Sequence, residues 1–199
     1  MPEYSFNAEL ALSGNPATPT WFLGDGTTVT AFTVGHNYEN SDVKQVQVIS
    51  PIKDWTALEE LTLTGCGIVG TINLTPLDVW DDAEIDLSDN PLMTALTFPA
   101  AVSGTCLKLD LSGCAIPSQS FAALNGVFQV ASALIDLSDN GLSQAEVDTY
   151  LIQFDTMVES GYEGRTIDLS GNNEPPSDES AEAVASLEAK GFTVTVTTV

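Results

Sequence analysis

The sequence predicts an α/β protein: a solenoid whose parallel sheet of about six short strands is capped by an N-terminal antiparallel β segment and closed by a C-terminal helix and strand. Three observations predict it. An apolar pattern recurs five times in one register between residues 55 and 199. Residues 1–50 lack that pattern and hold short β-prone runs instead. Two later stretches change from the two-residue period of strands to the 3.6-residue period of helices.

The chain accordingly divides into residues 1–50, a β cap with an N-terminal arm, and residues 51–199, the repeats. Residues 4–12 are extended in character and carry no partner motif, so they are expected to be free to add a strand to a neighbour's edge. After them come Trp21-Phe22-Leu23-Gly24-Asp25-Gly26-Thr27, then His36-x-Tyr38, then Lys44-x-Val46-x-Val48. That series resembles the central part of a PKD-like β-sandwich module. The resemblance implies a partial β-module placed to cover the first apolar face of the stack.

The repeats follow. Leu58-x-x-Leu61-x-Leu63-x-x-Cys66-x-Ile68 returns as Ile85-x-Leu87-x-x-Asn90-x-Leu92 and Leu109-x-Leu111-x-x-Cys114-x-Ile116, then as Ile135-x-Leu137-x-x-Asn140-x-Leu142 and Ile167-x-Leu169-x-x-Asn172. Successive Asn/Cys positions lie 24, 24, 26 and 32 residues apart. Alternation of the apolar pair gives a short strand with one inward face, and strands repeated in register stack in parallel. Cys66, Asn90, Cys114, Asn140 and Asn172 form a structural ladder at the turn, where their side chains meet backbone groups the turn leaves unpaired. Ser143-x-x-Glu146 is a capping box, and Val147, Leu151, Phe154 and Val158 behind it fall at helical spacing, which explains the longest repeat. Residues 178–190 form a second amphipathic helix with Ser177 as N-cap and Gly191 as stop, and residues 192–196 supply the closing strand. The pattern L-x-x-L-x-L-x-x-N/C-x-L is that of a leucine-rich repeat protein, which this chain resembles from about residue 55 onward. The resemblance implies a rigid curved surface with a concave face.

Charge excludes several partners. The chain has 5 Lys plus Arg against 28 Asp plus Glu, a net charge of −23, and 43% apolar residues. No basic groove for nucleic acid can be built from so few cations, and an anionic membrane would repel it. An apolar content this high still supports a packed core. The first ten residues show no export signal and no run is long enough to span a bilayer, so synthesis in a cytoplasm is expected. Cys66, Cys106 and Cys114 lack the paired spacing of a zinc site and are expected to be reduced and buried, Cys66 and Cys114 standing two strands, about 10 Å, apart.

Four motifs suggest chemistry, and each has a plainer explanation. Gly65-Cys66-Gly67-Ile68-Val69-Gly70 matches a dinucleotide fingerprint, but Thr71-Ile72-Asn73-Leu74-Thr75-Pro76 cannot open the helix that such a site needs. Asp136-x-Ser138-x-Asn140-Gly141 begins like a calcium loop, yet its terminal carboxylate would fall on Val147. His36 is the only histidine, so no imidazole pair is available for a metal. Asn73-Leu74-Thr75 is a glycosylation sequon, attributed to chance in a chain without an export signal.

The binding candidate is a carboxylate ladder. The outward position between the two core residues of each strand reads Thr62, Asp86, Asp110, Asp136, Asp168, Thr195. Neighbouring rungs should stand about 4.8 Å apart, where unit charges repel by roughly 0.9 kcal/mol in bulk water and roughly 3.5 at an effective dielectric of 20. The row is expected to splay into water, to accept hydrogen bonds from Ser88, Ser112, Ser138 and Ser170, or to attract cations. No cofactor and no dedicated metal site are expected, calcium entering only as a weak ligand.

The C-terminal run from Ile167 through Val194 resembles closing repeats found in phage tail-fibre segments and bacterial surface proteins. With the charge, that resemblance implies a non-enzymatic bacteriophage virion protein, assembled in a host cytoplasm, that decorates the capsid or serves as a tail-associated adhesin. Its partners would be capsid or tail proteins and other copies of itself, not nucleic acid or membrane. The alternative is a leucine-rich repeat protein of the bacterial surface, or a secreted one, binding a protein or glycan on the concave face.

Overall fold

The fold is described from a computed structural model, for residues 4–14, 20–22, 27–31, 33–38, 47–49, 55–75, 77–117 and 119–198. It is mixed α/β, with a six-strand parallel sheet and two helices. The Gly24-Asp25-Gly26 turn and the Lys44-x-Val46 run lie outside the described residues.

The parallel strands are β6 (Trp55–Thr62), β8 (Val79–Asp86), β10 (Ser103–Asp110), β11 (Leu134–Asp136), β12 (Arg165–Leu169) and β13 (Phe192–Val196), adjacent in chain order. Each core pair is in register with the next: Leu61 with Ile85, Ile85 with Leu109, Leu109 with Ile135, Ile135 with Ile167, Ile167 with Val194. A parallel crossover needs a dozen or more residues, and the 24- to 32-residue spacing provides it. β8 and β10 extend further towards their N-termini than the motif foretells. They do so by a register shift at Gly104 (φ +102), where a Cβ would lie 1.7 Å from the Trp80 carbonyl oxygen, so only glycine fits.

Beyond β6 the sheet continues antiparallel through β1 (Tyr4–Gly14) to β4 (Thr33–Tyr38). β1 pairs with β6 on one side and β4 on the other. The expectation of an unpaired N-terminal arm is therefore corrected: within its own chain β1 pairs with β4 over residues 4–9 and with β6 over residues 9–14, so it is a strand of the sheet rather than a free arm. β2 (Thr20–Phe22), β3 (Thr28–Thr30) and β5 (Gln47–Ile49) form a separate three-stranded sheet. Two further strands, β7 (Val69–Asn73) and β9 (Leu92–Thr97), pair in parallel within the first two connections, for which the repeat pattern names no strand. Alternation in Val69-Gly70-Thr71-Ile72-Asn73 and Leu92-Met93-Thr94-Ala95-Leu96-Thr97 is short and Gly-interrupted, so its period is faint in the sequence.

α1 (Gln144–Met157) opens on the expected capping box, Ser143 N and Oγ both donating to Glu146 Oε2 at 2.8 and 2.6 Å. Its buried face, Val147, Tyr150, Leu151 and Phe154, meets Phe121, and the Tyr150 hydroxyl donates to the Ile116 carbonyl at 2.9 Å. Gln153 ties the same helix to the chain before it, accepting from Phe121 N and donating to Gln119 O. The second helical segment begins as a 3₁₀ turn, Asp178–Ser180, and continues as α2 (Ala181–Ala189). Ser177 Oγ accepts from Glu179 N, and Asp148 of α1 accepts from Ser177 N and Oγ and from Ser180 Oγ, joining the two helices. Burial alone would raise the Asp148 carboxyl, but these serine hydrogen bonds hold it below its ordinary value.

The inward positions Ile85, Leu87, Leu109, Leu111, Ile135, Leu137, Ile167 and Leu169 are fully buried in one cluster with the helical aromatics. Fully burying one such side chain stabilises by about 1.5–3 kcal/mol, so the recurring pair is the main reason for the strand order. Arg165 is buried in the same layer, donating to the carbonyls of Phe128, Glu159 and Lys190 with its guanidinium 4.0 Å from the Phe192 ring centroid. Among the described residues no helix is long and apolar enough to cross a membrane.

Candidate functional site

The first five parallel strands, β6, β8, β10, β11 and β12, each end in a turn of one kind, which carries two columns of polar side chains. Four of these turns, at Asp86-Leu87-Ser88, Asp110-Leu111-Ser112, Asp136-Leu137-Ser138 and Asp168-Leu169-Ser170, close on the aspartate. Asp Oδ1 accepts the N–H of the serine two residues on, at 3.1, 3.1, 2.9 and 2.9 Å respectively. The serine hydroxyl also donates to Asp86, Asp110 and Asp168, at 2.6, 2.7 and 2.6 Å. The next residue, Gly65, Asp89, Gly113, Asp139 or Gly171, has positive φ in all five turns. Asp and Gly are residue types that tolerate this region, and they alternate along the stack. Where they meet, a Cβ on Gly171 would stand 2.2 Å from Asp139 Oδ1, which accepts from Asn172 N.

The inner column is the structural ladder. Asn90 Nδ2 donates to the carbonyls of Leu63, Leu87 and Ser88, and Asn140 Nδ2 to those of Leu111, Leu137 and Ser138. Their Oδ1 atoms accept from Ile68 N and Ile116 N in the preceding repeat. Cys114 Sγ donates more weakly to Leu87 O, at 3.3 Å, and Cys66 Sγ to Thr64 O, at 3.6 Å. None of the three cysteines is in a disulfide; Cys106 and Cys114 are buried as expected, whereas Cys66, in the first turn of the stack, is only half-buried, and burial pushes Cys106 up to about 12 and Cys114 up to about 11.

One rung of this ladder is corrected. Asn173, not Asn172, enters the interior of the fifth turn: its Nδ2 donates to Leu137 O and Leu169 O, and its Oδ1 accepts from Asn140 N and Leu142 N. Asn172 is exposed and accepts from Gly141 N across the turn. This turn is one residue longer than its neighbours, so counting three residues from Leu169 stops one short.

The outer column is the carboxylate row. Asp86, Asp110, Asp136 and Asp168 are opposite one another in register, flanked by Thr62 and Thr195. All four are half-buried. Lys108, two residues before Asp110 and so on the same face, places its ammonium 2.6 Å from Asp86 Oδ2 and 3.2 Å from Asp110 Oδ2. Sequence reasoning missed it, although alternation along β10 would have put it beside the row. Thr64 Oγ1 adds a 2.9 Å bond to Asp86 Oδ1.

Burial alone would raise Asp86, but the Lys108 ammonium and the hydrogen bonds from Ser88 and Thr64 outweigh it and hold the carboxyl at about 2. The Lys108 ammonium is raised in turn, burial being outweighed by Asp86 and Asp110. The position equivalent to Lys108 in the next strands is Leu134, then Thr166. Asp136 therefore has carboxylates on both sides; burial and then the charges of Asp110 and Asp168 raise it, against the pull of the Ser138 hydrogen bonds.

Chemically, the row is a line of fixed acceptors. Each Oδ1 is held by its own turn, and the second oxygens of Asp86 and Asp110 meet the Lys108 ammonium. Among the described residues no group of three or more His, Cys, Asp or Glu side chains is placed to hold a metal ion. Comparison with protein-family models, with curated proteins and with solved structures found no match to this chain.

Proposed function

We propose that this chain is a leucine-rich repeat solenoid serving as a non-enzymatic structural or binding component of a bacteriophage particle, as a capsid decoration protein or a tail-associated adhesin. The observation that supports the reading best is the carboxylate row. Its four aspartates are fixed by their own turns and by Lys108 rather than by one another, so they form a rigid charged surface on a scaffold that does not need them for packing. A surface of this kind recognises by charge and shape. With a net charge of −23 it repels packaged nucleic acid and resists non-specific adhesion between particles.

Quantitative mass spectrometry of purified particles, with this chain measured against the major capsid protein, tests the proposal. A simple stoichiometric ratio supports decoration, and a few copies per particle support a tail location. Absence from particles together with presence on cells overturns the proposal in favour of a bacterial surface protein.

A further inference from the structure

β13 stands at one end of the sheet, with β12 on one side and no described strand paired on the other. Backbone bonding along the stack is regular: the N–H groups of Leu63, Leu87, Leu111 and Leu137 donate forward to the carbonyls of Asp86, Asp110, Asp136 and Asp168. The core residue of each strand thus turns its backbone groups towards the following strand, and the outward residue turns its own towards the preceding one. Thr195 pairs with Asp168 and Val196 with Leu169. The same alternation therefore directs the N–H and C=O of Val194 and Val196 off the end of the sheet.

Such an edge is ordinarily blunted by charge, proline or a bulge. Residues 192–199 contain no charged side chain and no proline. The carboxylate row also stops here: the strands from β8 to β12 present aspartate, and β13 presents Thr195, which is exposed. A chain of net charge −23 can approach another copy of itself most closely where it carries no charge.

The sequence of this edge is also a palindrome, Thr193-Val194-Thr195-Val196-Thr197. We propose that β13 pairs antiparallel with β13 of a second copy, about a two-fold axis at Thr195, joining two sheets into one. Reversal places Thr195 opposite itself, Val194 opposite Val196, and Thr193 opposite Thr197. The off-sheet groups of Val194 and Val196 then form the closely bonded pairs, and the two Thr195 residues meet at the non-bonded site, with Cα atoms about 4.5 Å apart. An isologous contact of this kind closes on itself and forms dimers rather than filaments.

Sedimentation equilibrium on the 199-residue chain, from low to high micromolar concentration, tests this with Thr195→Lys and Thr195→Asp. In the Thr195→Lys variant the new ammonium would have Asp168 beside it within its own sheet, as Lys108 has Asp86, so that variant keeps the fold while setting two ammonium groups face to face across the axis. The expected results are a wild-type mass approaching twice 21.0 kDa, dimerisation weakened at least about tenfold in each variant alone, and recovery in an equimolar mixture of the two. The proposal is overturned by a wild type that stays monomeric throughout, by variants that dimerise as tightly as wild type, or by a mixture that does not recover.

Discussion

The two polar columns of the stack run side by side and bond in opposite directions. Amide groups in the inner column reach across repeats, Asn140 holding carbonyls at Leu111 as well as at Leu137 and Ser138. Carboxylates in the outer column bond mainly within their own turn, Asp136 taking the N–H of Ser138. The inner column is therefore what couples one strand to the next, and the outer is free to carry charge. A buried donor or acceptor left without a partner costs about 1–3 kcal/mol, whereas an exposed or half-exposed ion pair contributes about 0–1.

The largest effect separating the columns is expected from Asn140→Ala, which leaves the Leu111 carbonyl and the Ile116 N–H without their partner and takes one of two donors from the Leu137 and Ser138 carbonyls, which keep Asn173 Nδ2 and Gly113 N. A loss of about 3 kcal/mol in urea unfolding is expected. Asn173→Ala should lose about 2–3 kcal/mol by the same measurement, and Asn172→Ala about 0.5, because only the former leaves buried groups unpaired. Equal losses at 172 and 173 would return the ladder to the sequence-based register.

Lys108→Leu gives the first half of the outer row the environment of the second. Its partners are partly exposed, with 30% of the Lys108 and 21% of the Asp86 side chain accessible, so a loss of only about 1 kcal/mol is expected after solvent screening. The titration midpoint of Asp86, followed by carboxyl carbon NMR, should rise from about 2. Because Asp86 is depressed in the folded state, its contribution is fully present above the ordinary carboxylate value of 3.8 and is lost as pH falls through about 2; the variant loses that acid resistance. Asp136 has the opposite sign: raised when folded, it lowers stability at neutral pH, and that penalty is relieved as pH falls through its folded value. Leu134→Lys should supply the missing cation, lower Asp136 in the same NMR titration and stabilise by about 0.5 kcal/mol.

The contrast also explains what was legible in the sequence. Ile85/Leu87, Ile135/Leu137 and Ile167/Leu169 are readable because burial enforces a strict two-residue alternation. The same register made the aspartate row readable. Asn173 was not, because motif counting assumes a constant turn length and two adjacent asparagines differ only in which one the chain turns inward. Lys108 was overlooked because its partner Asp86 is a strand away, a relation that follows from register rather than from local pattern. The arm at β1 was misread because its partners β4 and β6 are distant in sequence and its pairing carries no local signature.

The most direct measurement is a reciprocal exchange within one repeat, Asp136→Asn against Asn140→Asp, compared by urea unfolding at neutral pH. The first swap keeps the acceptor for Ser138 N and removes a charge between two others, and the second removes the amide donors and turns a carboxylate onto three carbonyls. Asp136→Asn is expected to stay within about 0.5 kcal/mol of wild type and Asn140→Asp to lose about 3 kcal/mol or more. Comparable losses in the two variants would contradict the division between a coupling column inside and a displayed column outside.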